Sequence, residues 1–195
     1  IGLIKVGTNG FRLAGFGYND GIEDFTSSTY TTSAGNLFPT SFDNANRFYY
    51  VVGAYQNTLT VGSLSVSSIG GSDGFCLRID LGSGNVFTPQ NLRSYGNTSS
   101  DIINDVVLDN ATNLRAYLVG SFYGTMNLEY ANGTPFSVTS SGMQDGIVLE
   151  LLQNTTSDLR PQDSNSIMKL GSTGNDAILT VDYANSIFYI VGYFS

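Results

Sequence analysis

The chain has no histidine and no tryptophan, a single cysteine, four prolines, and only eight lysines and arginines among 195 residues. Each shortage excludes something. Without His the commonest general base is gone, and with it the Ser–His and Cys–His nucleophile pairs and most zinc sites. Cys76 alone cannot form an intrachain disulfide. It occupies an alternating apolar position of a predicted strand with no cationic neighbourhood, so it reads as a small buried hydrophobe. The basic residues are scattered and outnumbered by 16 acidic ones, for a formal net charge of −8. That leaves no clustered basic surface for nucleic acid or an anionic membrane. No apolar run reaches the roughly 18 residues of a membrane span. No signal peptide is visible and the first residue is not Met, so a processed or partial piece of something longer is expected.

Motif searches return equally little chemistry. There is no Walker loop, no Gly-x-Ser-x-Gly and no Cys-x-x-Cys. Gly15-Phe16-Gly17 begins like a dinucleotide fingerprint but has Asp20 where the third Gly belongs. Ser166-Ile167-Met168-Lys169 matches Ser-x-x-Lys without the companion motifs of serine acyltransferases. Paired carboxylates are the remaining catalytic option, as in glycosidases, yet Glu occurs only at 23, 129 and 150. Calcium is the one metal considered. Asn19–Asp24 clusters three carboxylates, and Asp101 and Asp105 flank a turn, but neither has the spacing of a calcium loop. No catalytic residue, metal site or cofactor is expected.

What the chain does have is repetition. Asp73-Gly74-Phe75-Cys76-Leu77-Arg78-Ile79-Asp80 returns 72 residues later as Asp145-Gly146-Ile147-Val148-Leu149-Glu150-Leu151-Leu152. Ile1-Gly2-Leu3-Ile4-Lys5-Val6 reads as a clipped further copy. A second signature follows each: Asp43-Asn44-Ala45 to Val51-Val52-Gly53, Asp109-Asn110-Ala111 to Leu118-Val119-Gly120, and Asp182-Tyr183-Ala184 to Ile190-Val191-Gly192. A fixed long period means one supersecondary unit repeated in space. The copies are expected at 1–72 (clipped at its start), 73–144 and 145–195 (incomplete at its end), together one domain.

Within a copy the pattern is β. Phe75, Leu77 and Ile79 alternate with Cys76, Arg78 and Asp80, a period of two. Asp105–Leu108 and Arg115–Gly120 read as strands around an Asp-Asn turn. Asn127–Tyr130 and Pro135–Thr139 flank Asn132-Gly133, a strong hairpin signal. Helical periodicity is nearly absent, and Asn165–Leu170 is the only stretch considered for it. Four or five short antiparallel strands per copy suggest a propeller blade.

The string from Asp73 to Val86, followed by Asp109-x-Ala111 and Tyr117-Leu118-Val119-Gly120-Ser121-Phe122, resembles the SBBP-type β-propeller repeats of extracellular and cell-surface proteins. The usual Gly-Asn after the Asp turn is replaced by Ala-Asn or Ala-Thr, and the period exceeds the roughly 40–50 residues of common blades. The resemblance implies an all-β fold of antiparallel blade repeats, three copies of about 70 residues, at an extracellular or cell-surface location. It implies no catalytic residues. Because propellers typically have four to eight blades, three copies imply that more of the protein exists, that blades stack without closing, or that chains complete the ring by strand exchange through the terminal strands.

Asp43, Asp109 and Asp182 recur at equivalent turns and read as structural, since catalytic residues break repeat symmetry. Four glycosylation sequons, at Asn97, Asn110, Asn132 and Asn154, fall in predicted turns, with Asn97 and Asn132 the best placed. The function expected is a non-enzymatic extracellular structural or assembly glycoprotein, filament-forming by self-association. The alternative is a carbohydrate-binding propeller lectin using Tyr55, Tyr123 and Tyr193, which follow the Val-Gly signature. A carboxylate-dependent glycosidase comes third.

Overall fold

A computed structural model of the chain describes the backbone of residues 3–7, 10–14, 22–24, 37–43, 48–81, 87–109, 115–152, 158–184 and 187–195. Side chains are described within 48–80, 88–109, 115–152, 158–183 and 187–195. Every regular element except one 3-10 turn at Ser164–Ser166 is a strand. In chain order these are β1 (Leu3–Gly7), β2 (Gly10–Ala14), β3 (Ile22–Asp24), β4 (Leu37–Asp43), β5 (Phe48–Tyr55), β6 (Thr58–Val61), β7 (Leu64–Ser67) and β8 (Asp73–Leu81). They continue as β9 (Phe87–Tyr95), β10 (Ile102–Asp109), β11 (Arg115–Glu129), β12 (Pro135–Leu152), β13 (Ile167–Leu170), β14 (Ala177–Ala184) and β15 (Ile187–Tyr193). Asn165–Leu170, the one stretch considered for helix, ends the 3-10 turn and becomes β13.

All pairings between strands are antiparallel. The first complete sheet is β4-β5-β8-β9 and the second β10-β11-β12-β13; β14-β15 and β1-β2-β3 are smaller sheets. Among the described residues the sheets close into no barrel or ring. The sheets are phased differently from the sequence copies. Asp73 opens the third strand of the first sheet, and Asp145 lies within the third strand of the second. The expected hairpin is the outer end of β11 and β12: Glu129 pairs with Pro135, and Gly133 takes a positive φ of 85° at the tip. Its counterpart in the first sheet is the separate β6–β7 hairpin.

Strand alternation explains how the sheets pack. On β5 and β8, Tyr50, Val52 and Cys76 point one way, into a core shared with Ile103, Leu118, Ile147 and Leu149 of the second sheet. Tyr49, Val51, Phe75, Leu77 and Ile79 point the other way, into a core covered by Leu59 and Val61 of the hairpin. The second sheet repeats the arrangement one step on. Val119 and Val148 meet Ile178 and Val181 of β14. Strands buried on both faces become near-continuous apolar runs, as Tyr49–Val52 and Ile147–Leu149 are. Burial of Cys76 places its thiol in the core and pushes its pKa up, in line with an inert side chain.

Candidate functional site: the repeated seam and the open third sheet

The signature residues gather where one sheet meets the next. A Cβ on Gly74 would come within 2.8 Å of Ile103 Cγ1, and one on Gly146 within 2.7 Å of Ile178 Cγ1. Both glycines of the Asp-Gly signature therefore admit the first strand of the following sheet. That first strand carries a β-bulge each time, with the register shifting between Phe38 and Thr40, Ile103 and Asp105, and Ile178 and Thr180. The bulge throws a backbone carbonyl at the glycine of the Val-Gly signature. A Cβ on Gly120 would lie 1.9 Å from Ile102 O, and on Gly192 2.1 Å from Ala177 O. Close approach of backbone is what makes glycine obligatory there.

Four aspartates fasten this seam. Asp73 Oδ2 accepts the amide of Ile69, and Asp145 Oδ2 that of Ser141, each four residues back. Asp101 takes the amides of Asn97 and Tyr123, and Asp176 those of Ser172 and Ser195, one on each carboxylate oxygen. The Asp101 amide donates to Ser72 O and the Asp176 amide to Gln144 O, the residues just before the two Asp-Gly pairs. All four are buried, and the Oδ1 atoms of Asp73 and Asp145 have no hydrogen-bond partner. Asp105 adds a clamp to the third sheet. Its Oδ2 accepts from Thr180 Oγ1 and from the Val181 amide, while Asn104 Nδ2 donates to Ile178 O.

β15 follows the second sheet's β11 at a separation of 72 residues, yet the two have different surroundings. Leu118, Val119 and Phe122 are fully buried, with β12 paired along them. Among the described residues β15 pairs only with β14, and Val191 and Phe194 are each 57% exposed. Ile187, Tyr189 and Tyr193 are exposed beside them. Among the described residues the edge opposite β14 has no paired strand and lies in an apolar setting, a template for a further strand.

The residues singled out in the sequence are dispersed. Tyr55 is buried, its hydroxyl donates to Ser94 Oγ at 2.7 Å, and burial pushes its pKa up to about 12. Tyr123 is half-buried, and Tyr193 is exposed with its hydroxyl donating to Gln144 Oε1. The three tyrosines share neither exposure nor partner, so they form no threefold set of sugar platforms. Asn97 is buried, its Nδ2 donates to Tyr123 O and its Oδ1 accepts from Ser99 N. Asn132 stands exposed at the hairpin tip, its Oδ1 accepting from Thr134 N. Asn110 and Asn154 lie outside the described residues.

Asp43 and Asp109 end their strands opposite Phe48 and Arg115, and Asp182 faces Tyr189 with its Oδ1 accepting from Tyr183 N. In Ser-x-x-Lys, Ser166 Oγ donates to Asp163 Oδ1 while Lys169 reaches Asp145, Thr139 O and Ser141 Oγ. Of the Asn19–Asp24 cluster only the backbone of Ile22–Asp24 is described. Asp101 and Asp105 are occupied by protein donors, and no group of three potential metal ligands occurs among the described residues. The seam role of Asp101 and Asp176 escaped sequence reading because they are 75 rather than 72 residues apart. The signal available was the pattern Leu/Tyr-Gly-x-Thr-x-x-Asp, shared at identical spacing by Tyr95–Asp101 and Leu170–Asp176.

Comparison with protein-family models, curated proteins and solved structures finds no match for this chain.

Proposed function

We propose that this chain is a non-enzymatic structural protein of extracellular or cell-surface assemblies, built from blade-like sheets of the SBBP type and extended by strand addition at its open third sheet. The observation that carries this reading is the seam used twice. Gly74 against Ile103 and Gly146 against Ile178 are the same contact, one sheet apart. A unit that joins to the next through a repeated seam propagates head to tail when its ends do not close. β15 is the end at which propagation would act. The occupant of its edge is β1 of a second copy. β1 carries the clipped Asp-Gly-type pattern and brings its own antiparallel neighbour β2. Joined to β14–β15, that pair would supply the third and fourth strands that β8–β9 and β12–β13 supply elsewhere. Burial of two large apolar side chains such as Val191 and Phe194 is worth about 1.5–3 kcal/mol each, before the cost of association.

Native mass measured across concentration tests this. Wild type is expected to form multimers. Val191→Lys, at an exposed position with little cost to the fold, is expected to remove the acceptor edge. Ile4→Pro is expected to remove the donor, because proline cannot complete a ladder. Mixing the two variants should yield dimers that grow no further. Monodisperse wild-type monomer at micromolar concentration would refute the reading.

A further inference from the structure

The two buried carboxylate pairs of the seam differ at one side chain. In the second pair, Lys169 of β13 places its ammonium 3.4 Å from Asp145 Oδ2. Ser94 of β9 holds the equivalent place in the first. Lys169 is paired with Ile147 and Ser94 with Phe75, the second residue after each Asp, and Ser94 Oγ donates to Asp73 Oδ2 at 3.1 Å. Asp73 and Asp101 are thus two carboxyls, 1% and 0% exposed, that form no ion pair among the described residues. Two buried negative charges without a cation are strongly disfavoured. Taking up a proton relieves such a buried charge.

The groups facing the pair are few. From the loop before β8 comes the Ile69 amide, and from β9 the Ser94 hydroxyl. From the β9–β10 connection comes the Asn97 amide, and from β11 the Tyr123 amide. Among the described residues Tyr55 of β5 is a further titratable group tied to them, held neutral and bonded to Ser94. Asp73 Oδ1 accepts nothing and is packed against Gly96, where a Cβ would come within 2.5 Å of it.

We propose that the buried carboxyls Asp73 and Asp101 take up a proton on mild acidification, so that the seam joining the first and second sheets tightens. Burial, the largest cause, pushes Asp101 up to about 6 and raises Asp73 from its ordinary 3.8. The folded state then holds the proton more tightly than the unfolded chain does. The pair's stabilisation is complete below the unfolded value of 3.8 and is lost as pH rises through about 6.

The test compares thermal and urea stability between pH 7.5 and 5 in wild type and two variants, with exchange of the Asn97 and Tyr123 amides as the local readout. Relief of the overall negative charge is common to all, so differences between variants are read. In wild type each proton held by the fold changes the folding constant by at most about tenfold per pH unit. Ser94→Lys imports the ammonium and is expected to flatten that slope. Asp73→Asn does the same without a bulkier group, since its Oδ1 keeps the two donors and its Nδ2 replaces the unpartnered oxygen. Equal slopes in wild type and Asp73→Asn would overturn the proposal. So would calcium chloride at pH 7.5 stabilising wild type but not Ser94→Lys, which would put a metal ion where the proton is placed.

Discussion

Gly120→Ala isolates the physics of the seam. The added methyl would sit 1.9 Å from Ile102 O, 2.9 Å from Ile102 C and 3.0 Å from Ile103 Cα, all backbone. No rotamer change relieves such a clash, so the end of β10 must swing away from β11. Overpacking of this kind costs about 1–3 kcal/mol. Swinging away also draws Ile103, 1% exposed, out of the core between the sheets, and uncovering an Ile costs about 1.5–3 kcal/mol. The strand chooses the cheaper mixture of strain and exposure, for a loss of about 3 kcal/mol. Gly124 is the internal control. It lies four residues on in the same strand, has φ +64°, and a Cβ there meets nothing within 4 Å. Gly124→Ala should cost only the left-handed penalty, about 1 kcal/mol. Urea unfolding of the three proteins measures the difference, and hydrogen exchange at Ile103 and Asp105 shows where it acts. A Gly120→Ala protein within ~0.5 kcal/mol of wild type, or more stable than Gly124→Ala, would refute the assignment of this glycine to the bulge.

Two further outcomes follow from the seam. Asp105→Ala leaves Thr180 Oγ1 and the Val181 amide without an acceptor; a loss of about 1–3 kcal/mol is expected, confined to faster exchange in β14 and β15, and unchanged exchange there would contradict the clamp. When the chain is produced through a eukaryotic secretory route, Asn132→Gln should remove one glycan by mass spectrometry. Asn97→Gln should change no glycan mass while lowering stability, because its amide is buried against Tyr123 O; a glycan on Asn97 would show that this loop opens before or during folding.

Antiparallel strands were legible in the sequence because alternation and turn chemistry are local. The Phe75–Ile79 alternation, the Asn132-Gly133 hairpin and the burial of Cys76 appear where local pattern puts them. Phase was less legible. Counting from Asp-Gly to Asp-Gly divides the chain inside its sheets, because a periodic sequence fixes the repeat length and not its starting point. β13 was missed for a related reason. Ile167-Met168-Lys169-Leu170 is a four-residue strand paired along one side to Gly146–Leu149, and tertiary pairing overrides so short a local pattern. The tyrosines failed as a set because the position after Val-Gly meets a different environment in each sheet. Next to Tyr55 lies Ser94 in a closed core, while β15 offers Tyr193 no third strand.

The two sequence signatures turn out to be one device. Asp-Gly supplies a flat spot and a buried carboxylate on the third strand; Val-Gly supplies the gap that the next bulge needs on the second. The two glycines answer to different neighbours: Gly74 and Gly146 to Ile103 and Ile178 of the following sheet, Gly120 and Gly192 to the bulged first strand of their own sheet, β10 and β14, with Asn104 and Asp105 beside the β10 bulge reaching forward to β14. Gly192 then carries weight, because it completes the device on a strand whose other edge is unpaired among the described residues. Under the assembly reading, Gly192→Ala should therefore weaken multimers more than it destabilises the first two sheets, since it displaces β14 from β15 and distorts the edge that accepts β1. Sedimentation velocity beside urea unfolding separates the two effects. A variant that loses core stability while its multimers persist would place the joining surface away from β15.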